Sequence, residues 1–395
     1  MRLLKGVRVL ELGGFITGPL TAMILAEYGA DIIKVERPDG GDPFRSFHKG
    51  TYSPHFQGHN RNKRSLALDY AKPEGLEVLH ALARTADVFV INNRPGVADQ
   101  MGMGYAQLHA LNPRLIYCAI TGFGATGPYA ERPAFDNVGQ ALSGWLSRHR
   151  RNDDPRVAGP AISDPATSYY AASGVLAALY ERTVSGKGRL VEVNMLEATI
   201  ALNLEPIAYY LDQGEPAPFY QRGGNSQAYN LMCKDGKCIA IHLSSPDKFW
   251  RAFCRAIERE DWITEYPTRA DRVIHYEKIA FALKPIFVQR TRAEWSERLE
   301  REDAPYAPEL GLEDLERDPQ IRHLGTFYEI EHPTHGTVRA QHRPAHVDGS
   351  REIDFRAPPD LGEHTDEVLT EAGFDRDRIE DLRRLKIIGQ ATANR

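Results

Sequence analysis

Asp164 is the residue whose type and setting most strongly suggest chemistry in this sequence. It is a single acid after the small, neutral segment 158–163, and Pro165 follows it ahead of the apolar run 171–179. An aspartate followed by proline is typical of a helix N-cap with proline at the first helical position, which would explain the pair without chemistry. The partial positive charge at a helix start also favours an ionised carboxylate, and such a carboxylate can act as a nucleophile. We therefore expect Asp164 to cap a helix in its ionised form, and a nucleophilic role is compatible with that position.

Alternating strand and helix patterns surround this residue. Short apolar runs predict strands at residues 7–12, 31–36, 87–91, 115–121 and 190–193. Amphipathic patterns predict helices at residues 19–28, 73–85, 105–110, 171–182 and 196–211. Strands and helices that alternate in this way predict an α/β fold, with a parallel sheet covered by helices on both faces.

The composition changes near residues 213–218, where two prolines and a glycine indicate a linker. A smaller α+β unit follows, with a hairpin at 231–241 around Asp235 and Gly236 and helices at 246–257, 277–289 and 292–300. Strands are expected within 332–351, and closing helices at 366–372 and 376–385. We therefore predict a large domain from residues 1–212 and 326–395, and linkers with a small α+β domain from residues 213–325.

Length and charge exclude several classes of protein. A chain of 395 residues exceeds the usual size of one compact core. Its net charge is −5 and its basic residues are dispersed among acids, so neither nucleic acid nor a membrane surface is an expected partner. Four scattered cysteines do not form a disulfide framework, and no uninterrupted apolar stretch reaches about 18 residues. These features predict a cytoplasmic protein with a small-molecule ligand.

A dinucleotide-dependent oxidoreductase is one alternative. Gly13, Gly14 and Gly18 lie between a predicted strand and helix, and Glu36 ends the next strand where a ribose-binding acid is found in such enzymes. The glycine spacing departs from the dinucleotide pattern, however, and Arg37 with Pro38 turns the chain directly after Glu36.

Several segments, in order, resemble one family almost from end to end. They are GADIIKVERPDGGDP at 29–43, NRNKRSLALD at 60–69, ADV at 86–88 with Asn92, RPG at 94–96, LNPRLIY at 111–117, TGFG at 121–124 with GP at 127–128, and LGEHTDEVL at 361–369. Together they are similar to the family III CoA-transferases, which include formyl-CoA transferases, carnitine-CoA transferases and α-methylacyl-CoA racemases.

The resemblance implies a Rossmann-like large domain built from both chain ends, a small domain between them, and two ring-like subunits interlocked as a homodimer. It also implies that Asp164 is the nucleophile, which exchanges CoA between an acyl-CoA and a small carboxylic acid through an anhydride and an aspartyl-CoA thioester. Neither a metal nor a cofactor beyond coenzyme A is expected. Gly223, Gly224 and Asn225 resemble the loop that closes over this intermediate in the family, although an ordinary linker turn would also explain them.

By the same resemblance, coenzyme A contacts a groove in which Arg37 binds phosphate or adenine, although Arg37 could equally be a solvated surface cation. The other residues expected in this groove are Thr17, Gly18, Leu68, Tyr70, Asn92, Asn93, Arg94, Gln100 and Met101. The formyl-CoA enzymes have glutamine at the position of Thr17, arginine at that of Gln100 and lysine at that of Pro133. The loss of these groups argues against formate and oxalate as substrates.

Three further features bear on function. The racemase branch needs a histidine base where Phe135 stands, so racemisation is a weaker alternative. The histidines near His332 and His335 do not predict a metal site, because Pro333 interrupts them and no acid in the sequence pattern completes a ligand set. Trp145 and the basic segment 148–151 either shape an acyl pocket, which would suit a dicarboxylate such as succinate, or form a solvated loop.

Overall fold

The computed structural model describes residues 2–48, 50–149, 154–244, 246–351 and 354–389. The chain divides into two compact units. The first consists of Met1–Leu204 with Gly325–Arg395, and the second of Glu205–Leu324.

Six strands and nine helices form the first part of the chain as the structure describes it. The strands are β1 (Arg8–Glu11), β2 (Asp31–Glu36), β3 (Lys63–Ala67), β4 (Val88–Ile91), β5 (Ile116–Thr121) and β6 (Leu190–Asn194). The helices are α1 (Thr17–Glu27), α2 (Pro54–Asn60), α3 (Pro73–Ala83), α4 (Val97–Gln100), α5 (Tyr105–Leu111), α6 (Asp136–Leu142), α7 (Ser163–Ser185), α8 (Met195–Ile200) and α9 (Leu204–Gln213).

The six strands pair in parallel in the order β3-β2-β1-β4-β5-β6. Alternate residues of β1, β2, β4 and β5 enter different cores, as a pleated strand requires. Leu10 and Phe89 belong to one apolar cluster, whereas Val9 and Val88 belong to the other. Both faces of the sheet are therefore buried, and the predicted α/β fold with a parallel sheet is confirmed.

The strand order reverses between β1 and β4, which lie side by side although their connections lead to opposite edges of the sheet. This order is that of the dinucleotide-binding α/β fold, in which ligands bind outside the carboxyl ends of the strands at the point of reversal. The segments that follow β1 and β4 therefore meet at one place.

The second unit has its own aromatic core. Its elements are α10 (Gln221–Ser226), β7 (Ala228–Met232), β8 (Cys238–His242), α11 (Asp247–Ala256), α12 (Asp261–Glu265), α13 (Arg269–Ile274), α14 (Tyr276–Phe287), α15 (Arg292–Arg301), β9 (Tyr306–Pro308) and α16 (Pro319–His323). The three strands are antiparallel, in the order β7-β8-β9. Trp250, Phe253, Phe287 and Trp295 are each at most 2% exposed and fill the core. The predicted hairpin is confirmed, with Met232 opposite Cys238.

The chain then returns to the first unit. The hairpin of β10 (Phe327–His332) and β11 (Gly336–Gln341) is followed by α17 (Thr365–Glu371) and α18 (Arg376–Arg384). Two helix predictions need correction. Residues 196–211 form α8, a 3-10 turn at Ala201–Asn203 and α9 rather than one helix. The helix predicted at 171–182 begins eight residues earlier, at Ser163.

Candidate active site

The start of α7 places Asp164 inside the first helical turn rather than before it. Ile162 is the residue that precedes the helix, and its side chain makes no capping hydrogen bond. The acceptor comes instead from α6: Asp136 Oδ1 accepts hydrogen bonds from the backbone N–H groups of Ile162 (2.8 Å) and Asp164 (3.1 Å). Pro165 has no N–H group to satisfy. The prediction that Asp164 is the N-cap is therefore wrong, because a side chain 28 residues earlier does that work.

Close packing fixes this helix start against α6 and α8. The buried hydroxyl of Ser163 accepts a hydrogen bond from Thr199 Oγ1 at 2.8 Å. Gly139 of α6 approaches so closely that an added Cβ would lie 2.6 Å from Met195 Sδ and 3.0 Å from Ser163 Oγ. On the other side, Ser168 Oγ donates to the carbonyl of Thr17 at 3.0 Å, which holds α7 against the start of α1.

Asp164 lines a cavity of about 210 Å³ at the carboxyl edge of the sheet. Four of the residues predicted to contact coenzyme A line the same cavity: Thr17, Asn92, Asn93 and Arg94. The remaining lining residues are Phe15, Ile16, Pro95, Ile120, Thr121, Gly122, Ala130, Arg132, Pro133, Ala134, Phe135 and Met195. The structure thus brings the segments after β1, β4 and β5 together with the start of α7.

Three side chains hold the loop between β1 and α1. Glu11 Oε1 accepts from Gly13 N at 2.8 Å, Asn92 Oδ1 accepts from Gly14 N at 3.1 Å, and Asp42 Oδ1 accepts from Phe15 N at 3.1 Å. Phe15 adopts a left-handed φ of 62°, a conformation that costs free energy for a bulky residue. Asn92 Nδ2 also donates to Thr17 Oγ1 at 2.9 Å. The loop is therefore held in a strained shape at the wall of the cavity.

Buried charges support these acceptors. Lys34 Nζ lies 3.1 Å from Glu11 Oε1 and 2.9 Å from Asp42 Oδ2, and Lys63 Nζ lies 3.1 Å from Glu11 Oε2. Burial alone would lower the pKa of Lys34, but the charges of Asp42 and Glu11 outweigh it and raise the pKa above its usual value. At Lys63 burial prevails and lowers the pKa to about 8.

Glu36, the acid considered for a ribose contact, is not available to a ligand. It is buried and forms two hydrogen bonds of 2.8 Å with Arg45, and it accepts a third from Ser65 Oγ at 2.7 Å. Burial acts to raise its pKa, but Arg45 and Lys34 prevail and lower the pKa to about 2.

The surroundings of Asp164 disfavour its ionised form. Burial and, secondly, the like charge of Asp136 raise its pKa to about 7. The helix start therefore does not keep Asp164 fully ionised at neutral pH, because these two effects exceed the influence of the helix dipole. A carboxyl group that titrates near neutral pH within a cavity is typical of a catalytic site.

Two exposed cations, Arg94 and Arg132, line the same cavity. The guanidinium of Arg132 lies 3.8 Å from the centre of the Tyr129 ring, which restrains it without neutralising it. Phe135 also lines the cavity, and no histidine does so among the described residues. The base that the racemase alternative requires is thus absent from the part of the wall that the structure describes.

The other predicted coenzyme A contacts lie outside this cavity but follow strands of the same sheet. Arg37 is exposed after β2, and its charge acts on the half-buried Tyr70, which lies beyond β3. Leu68 is fully buried in the apolar core, and its N–H donates to the carbonyl of Glu36. Gln100 is exposed at the end of α4, and Met101 packs against the core. A Cβ added to Gly18 would lie 2.9 Å from the Cα atom of Gly13, so this approach requires glycine.

The glycine-rich segment is helical rather than a turn. Gly223, Gly224 and Asn225 belong to α10, in the second unit. An added Cβ on Gly223 would lie 2.8 Å from the hydroxyl oxygen of Tyr276, and the carbonyl of Asn225 accepts from Arg269 at 2.9 Å. The predicted turn is therefore corrected to a short helix packed on its own unit.

The histidine pair does have an acid beside it, contrary to the expectation from sequence. His332, His335 and Asp360 present nitrogen and oxygen atoms within 4.8 Å of one another. His335 Nε2 lies 2.8 Å from Asp360 Oδ1, while Thr334 bonds both Asp360 Oδ2 (2.9 Å) and, through its N–H, His332 Nδ1 (3.1 Å). These contacts bind the cluster to itself, so they describe a hydrogen-bonded hairpin end rather than an open metal site.

Some residues were missed or lie elsewhere. The sequence patterns did not predict α6, which carries Asp136. Met195 and Arg132 carried no signal. Trp145 stacks on His149 at 4.8 Å and does not line the cavity of Asp164 as described. Arg150 and Arg151, considered for an acyl pocket, lie outside the described residues.

Comparison with known proteins identifies the family. The model of CoA-transferase family III matches residues 4–365. A formyl-CoA:oxalate CoA-transferase from Rhodopseudomonas palustris (strain BisA53) is 34% identical over 408 residues, covering 96% of this chain and 96% of its own. The succinyl-CoA:glutarate CoA-transferase of Homo sapiens is 33% identical over 377 residues, covering 93% of this chain and 85% of its own.

A solved structure agrees with both. The crystal structure of a CaiB/BaiF family protein from Brucella suis has a TM-score of 0.81 and 29% identity, and the match covers 93% of this chain and 99% of that one. The chain belongs to CoA-transferase family III, and the resemblance seen in the sequence is confirmed. It is accordingly a CoA-transferase. Within the described residues, no helix has the length and apolar character needed to span a membrane.

The raised pKa of Asp164 predicts how the free energy of unfolding depends on pH. Between about pH 4 and pH 7 the folded state keeps a proton that the unfolded state releases, so this residue lowers stability as the pH rises. Asp164→Asn should therefore raise the free energy of unfolding by about 1–4 kcal/mol above about pH 7, and by little below about pH 4. Denaturant unfolding of both proteins from about pH 4 to about pH 9 measures the difference.

Asp366 is a matched control, because it also occupies the first turn of its helix, α17, but pairs with Arg383 at the surface. Asp366→Asn should show no increase in the free energy of unfolding that grows with pH. A difference between wild type and Asp164→Asn that is the same at every pH would contradict the raised pKa.

Proposed function

We propose that the protein moves CoA between an acyl-CoA thioester and a free carboxylic acid through covalent intermediates on Asp164. The observation that carries this proposal is the position of Asp164: a half-buried carboxyl group in a cavity at the point where the strand order reverses. Its pKa of about 7 leaves a sizeable ionised fraction at neutral pH, and an ionised carboxylate is the nucleophile that the reaction needs.

The first half of the reaction loads CoA onto the enzyme. A carboxylate oxygen of Asp164 attacks the thioester carbonyl, and the C–S bond breaks. CoA departs as its thiolate, and a mixed anhydride between Asp164 and the acyl group remains. The thiolate then attacks the aspartyl carbonyl of the anhydride, and the donor acid departs as its carboxylate. The product is an aspartyl-CoA thioester.

The second half reverses these steps with the acceptor. The acceptor carboxylate attacks the aspartyl thioester, which releases thiolate and forms a second anhydride. The thiolate attacks the acceptor acyl carbon, and the Asp164 carboxylate is regenerated. Each step exchanges acyl derivatives of similar reactivity, so we expect no metal, ATP or cofactor other than coenzyme A to take part.

Coenzyme A would extend from this cavity along the carboxyl edge of the sheet. Thr17, Gly18 and Asn92 to Arg94 lie nearest to the reacting group, and Arg37, Leu68, Tyr70, Gln100 and Met101 follow neighbouring strands and helices. Arg37 is the cation suited to a phosphate, because it is exposed and a guanidinium can bind phosphate through two hydrogen bonds. Gly223, Gly224 and Asn225 are proposed to cover the intermediate.

The acids exchanged are proposed to be dicarboxylates longer than oxalate. Each of the two curated relatives described above is named for at least one dicarboxylic acid. Arg94 and Arg132 supply positive charge on the wall of the cavity. The replacement of polar or cationic groups by Thr17, Gln100 and Pro133 disfavours formate and oxalate.

The covalent mechanism is tested by mass spectrometry of the protein after incubation with succinyl-CoA and other acyl-CoAs, with hydroxylamine to trap activated esters. We expect the modification on the peptide that carries Asp164, no modification of Asp164→Asn, and normal modification of Asp366→Asn. An adduct on another residue, or none with any donor despite coenzyme A binding, would reject Asp164 as the nucleophile.

The substrate class is tested with Arg132. Arg132→Met should lower kcat/KM for succinyl-CoA by about 10–100-fold, because a charge-assisted contact to the free carboxylate is lost. The value for butyryl-CoA, which has the same chain length without the second carboxylate, should change less than about 3-fold, and Arg132→Lys should retain part of the succinyl-CoA activity. Equal losses for both substrates would refute a contact between Arg132 and the second carboxylate.

We propose the interlocked homodimer on the resemblance, and an exposed apolar surface on α7 supports association between subunits. Tyr180 is 77% exposed and Val184 is 83% exposed, and Tyr169 and Tyr170 on the same helix are also exposed. Large apolar side chains exposed together indicate an interface. Light scattering after size-exclusion chromatography should give twice the mass of one chain, and Tyr180→Asp with Val184→Asp should lower the dimer fraction. A monomeric wild-type protein at micromolar concentration would contradict this proposal.

A further inference from the structure

Asp136 accepts hydrogen bonds from the start of α7 and also acts electrostatically on Asp164. Its Oδ1 atom accepts the backbone N–H groups of Ile162 and Asp164 at 2.8 and 3.1 Å, and Gln140 donates a hydrogen bond to its Oδ2 atom. These contacts hold the Asp136 carboxylate at the start of α7, and Asp136 is the like charge that acts on Asp164.

No opposite charge close by neutralises this pair among the described residues. The pKa of Asp164 is raised by burial and then by Asp136, and no cation is among the causes. Arg94 and Arg132 line the cavity but are exposed.

The elements packed against α7 carry other charged groups. These are Glu27 of α1, which pairs with Arg61, Glu197 of α8, which accepts from Asn194, and Glu192 of β6, which is exposed. None of the three is among the causes of the raised pKa. Asp136 is thus the neighbouring charge that raises the pKa of Asp164.

We propose that Asp136 is a positioning residue for the transfer reaction, because it fixes the start of α7 and its charge favours the neutral, acylated forms of Asp164 over the free carboxylate. The inference rests on the proposed role of Asp164. When Asp164 becomes an anhydride it loses its charge, which passes to the CoA thiolate. When the thiolate converts the anhydride into the thioester, the charge departs with the released acid. The repulsion between the two carboxylates is then relieved.

The ionisation of Asp164 and the formation of its covalent adduct depend on the same repulsion. The repulsion that hinders ionisation of Asp164 also favours the covalent adduct, and one pKa unit corresponds to about a factor of ten in the equilibrium constant. Asp136→Asn removes the charge and retains an oxygen that can accept from both backbone N–H groups. The Gln140 amide then has to turn so that its oxygen accepts from the new NH2 group. It should therefore lower the pH midpoint for adduct formation by about one unit and, above about pH 8, lower the equilibrium ratio of aspartyl-CoA thioester to free enzyme about tenfold.

The experiment compares wild type, Asp136→Asn and Asp136→Ala by intact-mass spectrometry at fixed ratios of succinyl-CoA to succinate, from about pH 5 to about pH 9. Asp136→Ala removes the acceptor as well as the charge, so it should also slow adduct formation. Asp375 is the matched control: it caps α18 by accepting from Arg378 N at 2.8 Å and does not line the cavity. Asp375→Asn should leave the midpoint and the adduct ratio unchanged.

A second readout does not depend on activity. The effect of Asp164→Asn on the free energy of unfolding is measured against pH in two backgrounds, the wild type and Asp136→Asn. The upper midpoint of this pH dependence should be about one unit lower in the Asp136→Asn background. Unchanged midpoints in both measurements, or a slower reaction without a shift in the adduct ratio, would overturn the electrostatic role of Asp136. No adduct in the wild type would overturn the proposed function instead, while the unfolding midpoints would still report whether the two carboxyl groups interact.

Discussion

The buried charges of Glu11, Lys34, Asp42 and Lys63 are the constraint on which the wall of the cavity depends. Both lysines and Glu11 have fully buried side chains, and such charges are tolerated only when each has a partner of opposite sign. Glu11 and Asp42 also accept backbone N–H groups from the loop after β1. Loss of any one member would leave a buried charge without compensation, and loss of Glu11 or Asp42 would also remove an acceptor for the loop. The network therefore supports the shape of the site.

The reversal of strand order then determines what this edge can do. Because β1 and β4 are neighbours, the loop that leads to Thr17 and the segment that carries Asn92 meet and hydrogen-bond to each other. Helix α7 contributes Asp164 from a more distant part of the chain, and Ser168 ties it to the carbonyl of Thr17. The cavity is therefore a product of topology, and it unites segments that are far apart in sequence.

The sequence patterns predicted the elements that depend mainly on short-range interactions along the chain. The strands from residue 31 to 36 and around residues 88–91 and 116–121, and the parallel sheet they form, follow from apolar runs separated by helical periodicity. The position of Asp164 in the site region followed from resemblance. The start of α7 did not, because the acceptor for its first N–H groups is Asp136, which no local pattern links to residue 164. The helical form of residues 221–226 was equally hidden, since two adjacent glycines favour a turn unless tertiary packing, here against Tyr276, overrides that preference.

Asp164 also shows why a helix start alone does not define the state of a carboxyl group. Asp375 and Asp164 both lie at helix starts in the same unit, near the positive end of a helix macrodipole. Asp375 accepts a hydrogen bond at an exposed helix end, whereas Asp164 is partly buried and faces a second carboxylate. Burial and like charge therefore outweigh the dipole at Asp164. Such surroundings do not stabilise a carboxylate that only has a structural role. They do assist a carboxylate that must become a neutral acyl derivative, because the forces that oppose its charge stabilise the derivative relative to the ionised carboxylate.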